Sequence, residues 1–126
     1  MDPRRVWRIA LFAAGCLWAH ADADEGIRIL VQNSPLAGFR YHAAAELWRE
    51  LRVGDRLELE REPANPHDAN AVSVVWRGRK LGYVPRRENA GLAWGLDRGT
   101  PLRARISALA EHPNPARRVR FEVYVE

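Results

Sequence analysis

The sequence predicts a mainly-β fold: a small antiparallel β-barrel of about six strands with two short α-helices. Three observations predict it. Apolar residues alternate with polar ones in six separate runs. Two other segments repeat their apolar residues at helical spacing. Glycine- or proline-bearing breaks separate the runs. Alternating strands leave edges open to unwanted pairing, and closing the sheet removes them.

Ile27, Ile29 and Val31 alternate with Arg28 and Gln32 as a first strand, which Ser34-Pro35 and Gly38 end. Ala44, Leu47, Trp48 and Leu51 then line one face of a helix, with Glu46, Arg49 and Glu50 opposite. Gly54-Asp55 stops it. Leu57 and Leu59 form the inner face of a second strand. Pro63-Ala64-Asn65-Pro66 is a stiff loop, because each proline fixes φ and removes a donor. Val72, Val74 and Trp76 share one face of a third strand, and Arg77-Gly78-Arg79 turns tightly into a return strand, Leu81 to Val84. Pro85 opens a second helix from about Arg86 to Asp97, with Leu92, Ala93 and Leu96 inward and Gly99 as its stop. Leu102, Ala104, Ile106 and Ala108 form the inner face of a fifth strand. His112-Pro113-Asn114-Pro115 loops to a sixth, with Val119, Phe121, Val123 and Val125 inward.

The 126 residues suit one domain preceded by a leader. Arg4, Arg5 and Arg8 precede an apolar run, Ile9 to Trp18, then Ala19-His20-Ala21 and the acidic Asp22 to Glu25. This is the order of a secretory signal peptide, so residues 1–21 are expected to be removed and 22–126 to fold. The expected location is periplasmic or secreted. A bilayer-spanning helix needs about 20 apolar residues, so no integral span is expected after cleavage. Lipid attachment at Cys16 fits less well, since Ala13 stands where a larger aliphatic residue is usual. Cleavage leaves 17 basic and 15 acidic residues, a formal charge of +2 instead of +4. Charge alone therefore does not identify a nucleic-acid partner. Cys16 leaves with the leader, so no disulfide, thiol nucleophile or thiolate ligand is expected.

The remaining residues argue against catalysis. Ser34, Ser73 and Ser107 stand outside any nucleophile-elbow pattern, and Ser73 and Ser107 are expected to face solvent in mid-strand. His42, His67 and His112 lack the spacing that brings imidazoles onto one metal. No glycine loop suits a phosphate. The expectation is a binding domain with no enzyme activity, metal or cofactor, acting as a monomer.

Three segments are more specific. Residues 61–72 read Arg-Glu-Pro-Ala-Asn-Pro-His-Asp-Ala-Asn-Ala-Val, residues 78–86 read Gly-Arg-Lys-Leu-Gly-Tyr-Val-Pro-Arg, and residues 38–42 read Gly-Phe-Arg-Tyr-His. Together they resemble the HIRAN domain, over about Ile29 to Val125. The resemblance implies an OB-like barrel that binds single-stranded DNA and its free 3′-hydroxyl end. On that likeness Tyr41 stacks a base, Arg40 meets phosphate, Asn65 and Asp68 floor the pocket, and Arg86 supplies a later basic contact. His67 stands where DNA-end binders carry tyrosine, and Tyr83 where they carry histidine. Such relatives work in the nucleus beside helicase machinery, whereas this chain carries an export leader. A second reading is therefore an envelope domain that binds a protein or small ligand through the same pocket. Structural roles stay open too: Tyr41 and Tyr83 as core aromatics, Asp68 and Asn65 as turn-formers, Arg40, Arg86 and Arg87 as solvated charges, and Trp48, Trp76 and Trp94 as packing residues.

Overall fold

The computed structural model describes residues 28–126. The leader read over 1–21, its cleavage site, Cys16 and Ile27 lie outside these residues. The strands are β1 (Ile29–Pro35), β2 (Arg56–Arg61), β3 (Val72–Trp76), β4 (Arg79–Tyr83), β5 (Leu102–Leu109) and β6 (Val119–Val125). The α-helices are α1 (Ala44–Leu47) and α2 (Ala90–Asp97). Four 3₁₀ turns cover Phe39–Tyr41, Trp48–Glu50, Arg86–Glu88 and Pro115–Arg117.

All strand pairs are antiparallel, in the order β1-β6-β5-β2-β3-β4. The sheet is not the closed barrel that edge removal favours. Its two edges touch at one bridge just beyond β1, where the Ala37 amide donates to the Tyr83 carbonyl at 2.8 Å and the Tyr83 amide donates back at 2.9 Å. Gly82 permits this approach, since a Cβ there would lie 2.3 Å from the Ala37 carbonyl oxygen. The concave side holds the core, with Phe121, Val123, Ile106, Val72, Val74 and Leu81 fully enclosed and Leu36, Leu51 and Leu92 closing over them. Each such side chain contributes roughly 1.5–3 kcal/mol on burial.

Four expectations change. Ile29, Leu30 and Val31 are 64%, 59% and 48% exposed; a bulge between Leu30 and Gln32 on this edge strand breaks the alternation, and the chain enters the core only at Ser34 and Leu36. A second bulge between Ile106 and Ala108 shifts the pairing, so Ala108 is exposed and Leu109 packs on the core instead. Ser73 is buried and donates to the Glu60 carbonyl at 3.3 Å, because both faces of β3 are covered. Trp48 and Trp76 pack as expected, but Trp94 is 64% exposed beneath the Arg98 guanidinium, 4.2 Å from its ring centre.

Both helices are shorter than their apolar periodicity suggests. The first is a single α-turn continued as 3₁₀ by Trp48–Glu50. The second starts at Ala90, because Pro85 opens a separate 3₁₀ turn and the buried Asn89 forms the joint. The Arg77-Gly78 hairpin is as read, with both residues at positive φ, 48° and 80°.

Candidate functional site

The 62–71 loop is built from its own polar groups. Its ends close where the Glu62 amide donates to the Ala71 carbonyl. Inside it, the Asn65 side-chain oxygen accepts from the His67 amide at 2.9 Å, and the Asp68 Oδ1 accepts from the Asn70 amide at 2.9 Å. Both are Asx turns, the local bonding that suits Asn and Asp to such loops. The Asn65 side-chain nitrogen donates to Glu62 at 3.1 Å. Asn65 therefore mostly shapes the loop, while Asp68 keeps a second oxygen for the site.

That second oxygen, Oδ2, accepts from the Asn89 side chain at 2.8 Å. Asn89 is 2% exposed, so the joint between the Arg86–Glu88 turn and α2 is what aims the carboxylate. The Asn89 bond, the Asn70 amide and the positive charges of Arg86 and Arg61 hold the Asp68 carboxyl below its usual range, against a smaller desolvation effect. Asp68 is thus an ionised acceptor at neutral pH.

A cleft of about 420 Å³ opens around it, lined by Ala37, His42, Asn65, His67, Asp68, Ala71, Tyr83, Val84, Arg86 and Asn89. The Tyr83 and His42 rings meet edge to face with centres 5.2 Å apart and form one wall. The Tyr83 hydroxyl is tied down behind the wall, donating to Glu62 at 2.8 Å and accepting from Lys80 at 3.0 Å. Glu62 also pairs with Lys80 at 2.6 Å. Burial raises the Glu62 pKa, but hydrogen bonds from Lys80, Tyr83 and Asn65 outweigh it and hold the carboxylate low. The bonds that Lys80 donates to Glu62 and Tyr83 raise its own pKa. Burial, aided by Lys80, lowers His42 from the usual imidazole value, and Glu62 only partly opposes this. His42 is therefore a neutral wall at neutral pH.

The expected site residues divide. Asn65, His67, Asp68, Tyr83 and Arg86 converge on the cleft. Arg40 and Tyr41 do not line it. Tyr41 is 79% exposed on the 3₁₀ turn, so it is no core aromatic, and Arg40 borders a separate depression with Phe39, Ala45, Pro113, Pro115 and Arg118. Successive residues of a 3₁₀ turn point about a third of a circle apart, so the Arg-Tyr-His segment fans across two surfaces. His42, Asn89 and Glu62 are the residues sequence reasoning missed. His42 lay beside the selected Tyr41 and Glu62 inside the 61–72 segment, but Asn89 carries no local pattern that marks it. Among the described residues, no three His, Cys, Asp or Glu side chains stand close enough to hold a metal ion. No described helix is long and apolar enough to cross a membrane.

The geometry can be set beside known proteins. Comparison with curated proteins gave no match. A crystal structure of a protein from Lactobacillus plantarum is similar over 79% of this chain and 95% of its own, with 27% identity and a TM-score of 0.68. The crystal structure of the HIRAN domain of human HLTF is similar over 79% of this chain and 80% of its own, with 17% identity and a TM-score of 0.57, a likeness of fold. The HIRAN domain profile matches residues 29–126, which takes in the 62–71 loop, β4 and the 3₁₀ turn at Phe39. With the profile spanning every described element, the chain belongs to the HIRAN domain family.

Proposed function

We propose that the domain is a non-catalytic module that binds single-stranded nucleic acid and seats a free 3′-hydroxyl end in the Asp68 cleft. One observation carries the reading: an ionised carboxylate, aimed by a buried asparagine, sits in a cleft beside an arginine and an aromatic wall. A carboxylate only accepts hydrogen bonds, and it has about four lone-pair sites. Asn89 and the Asn70 amide occupy one on each oxygen. The free sites suit a hydroxyl donor and repel a terminal phosphate. Arg86 answers the adjoining phosphate, and the Tyr83–His42 wall bounds the sugar and base. Tyr41, exposed on the 3₁₀ turn next to His42, offers a stacking face worth roughly 1–3 kcal/mol per base. Family membership points to the same ligand class. Export through the leader is part of the proposal, and sequencing the N-terminus of the mature protein tests it.

The binding test is fluorescence anisotropy with short oligonucleotides ending in a 3′-hydroxyl or a 3′-phosphate, over a salt series. Binding should favour the hydroxyl and weaken with salt, by a slope of about 0.7 in log affinity per phosphate held. No binding at low salt refutes nucleic acid as the ligand. Equal binding of the two ends refutes capture of the terminus.

A further inference from the structure

The cleft does not end at Arg86. A second groove, of about 410 Å³, shares Ala37 and Arg86 with it and continues over Pro35, Leu36 and Pro85 to Arg87 and Ala116. Ala116 belongs to the 3₁₀ turn Pro115–Arg117, and Pro115 in turn borders the depression that holds Arg40 and Arg118. Three hollows thus run in series from Asp68, each sharing a residue or a turn with the next.

Beyond Asp68 their charge is one-sided. Arg40 and Arg86 line them and Arg117 sits on the turn between the second and third; all three are exposed and, among the described residues, have no carboxylate within ion-pair distance. Arg118 spends its hydrogen bonds on the carbonyls of His112 and Pro113, at 2.7 and 3.5 Å, so its charge is not neutralised. Arg87 has only a loose contact with its neighbour Glu88, at 3.8 Å. On the outer face of the sheet, by contrast, Arg103 and Arg105 are paired with Glu126 and Glu122. An apolar floor edged by unneutralised guanidinium groups matches a strand whose sugars and bases lie flat while its phosphates face outward.

We propose that this groove, from Arg86 and Arg87 across the Pro115–Arg117 turn to Arg118, carries the strand leading away from the seated terminus. The domain then holds several consecutive nucleotides, not an end alone. This rests on the terminal-capture reading, and the experiment separates the two.

Anisotropy is measured with the described domain in the full chain, using a trinucleotide and a decanucleotide of thymidylate, each with a free or a phosphorylated 3′ end. The free decanucleotide should bind at least about tenfold more tightly than the free trinucleotide, since each added phosphate contact releases counterions. An Arg87→Ala, Arg117→Ala double variant should erase that gain, leave the trinucleotide unchanged and reduce the decanucleotide's salt slope by about 1.4. Arg87→Lys with Arg117→Lys should keep most of the gain. Equal affinity for the two lengths, or a double variant that weakens both equally, overturns the groove and leaves terminal capture standing. If the phosphorylated decanucleotide binds as well as the free one and still needs Arg87 and Arg117, capture fails and the groove stands. A polyglutamate peptide of equal charge that binds as tightly, with the same dependence on both arginines, shows a general polyanion surface and overturns the proposal.

Discussion

Gly82 is where fold and cleft meet, and Gly82→Ala tests the connection. The added Cβ would stand 2.3 Å from the Ala37 carbonyl oxygen and 3.1 Å from the Leu36 side chain. The first neighbour is backbone and the second belongs to a residue 1% exposed, so neither moves freely. The clash falls on the bridge whose two hydrogen bonds, of 2.8 and 2.9 Å, join the sheet's edges. Overpacking a tight site costs about 1–3 kcal/mol. Two weakened hydrogen bonds add about 0.5–1.5 kcal/mol each. The total of about 2–6 kcal/mol is a large part of the 5–15 kcal/mol that typically holds a domain folded. At about 4–8 °C per kcal/mol for a domain of this size, the melting temperature should fall by at least about 8 °C. Urea and thermal melts followed by tryptophan fluorescence measure it. Gly91→Ala is the internal control: nothing lies within 4 Å of its added Cβ and it sits in α2, so it should be neutral or stabilise by up to about 1 kcal/mol. A Gly82→Ala protein that melts within about 2 °C of the wild type refutes the close-approach argument.

Three further outcomes follow from the cleft's wiring. Tyr83→Phe removes a hydroxyl that donates to Glu62 and accepts from Lys80, so it should cost about 0.5–1.5 kcal/mol in a urea melt while leaving oligonucleotide affinity nearly unchanged. Asp68→Asn keeps the side chain's size but loses the charge, so the preference for a 3′-hydroxyl over a 3′-phosphate should collapse, as read by the ratio of the two affinities. His42 has a folded pKa below its usual 6.5, so the unfolded chain binds more protons just below that value. Its contribution to stability is therefore full above pH 6.5 and is lost as the pH falls towards the folded pKa. A proton NMR titration of His42 should show the low midpoint, and His42→Phe should remove that part of the pH dependence.

Much of this was legible because it is periodic or local. Alternation found five strands and the Arg77-Gly78 hairpin the sixth, and that turn and the Pro63–Pro66 loop announced themselves by residue type. The motif segments brought Asn65, His67, Asp68, Tyr83 and Arg86 into one cleft. What stayed hidden depends on irregularity or distance. A bulge at Val31 and another at Ser107 each reverse the faces that follow, and nothing in an alternating run marks the extra residue. Asn89 reads as an ordinary helix-start residue, yet its side chain is spent on a carboxylate 21 residues earlier. The alternation of Ile27, Ile29 and Val31 marks a strand but cannot show that β1 is an edge, where Ile29 and Val31 stay exposed.

The three motif segments belong together for one mechanical reason. With no side chain at Gly82, Ala37 can bond to Tyr83, which sets Gly38 at the entry to the 3₁₀ turn. Gly38 takes φ 77°, and a Cβ there would meet the His42 ring at 3.2 Å, so its lack of a side chain is required twice. That turn delivers His42 against Tyr83. Immediately after Tyr83, Val84-Pro85 leads directly to Arg86 and then to Asn89, which aims Asp68. One edge contact therefore sets the aromatic wall, while the exit from β4 sets the carboxylate and the cation. Loosening the edge should lower stability and ligand affinity together, as in Gly82→Ala. Asp68→Asn leaves the edge intact but turns one accepting oxygen into a donor, so it should change end preference and also lower stability through the lost bond from Asn89 or the Asn70 amide. If Gly82→Ala weakens the fold yet leaves the folded fraction's affinity untouched, the wall is not held by the edge.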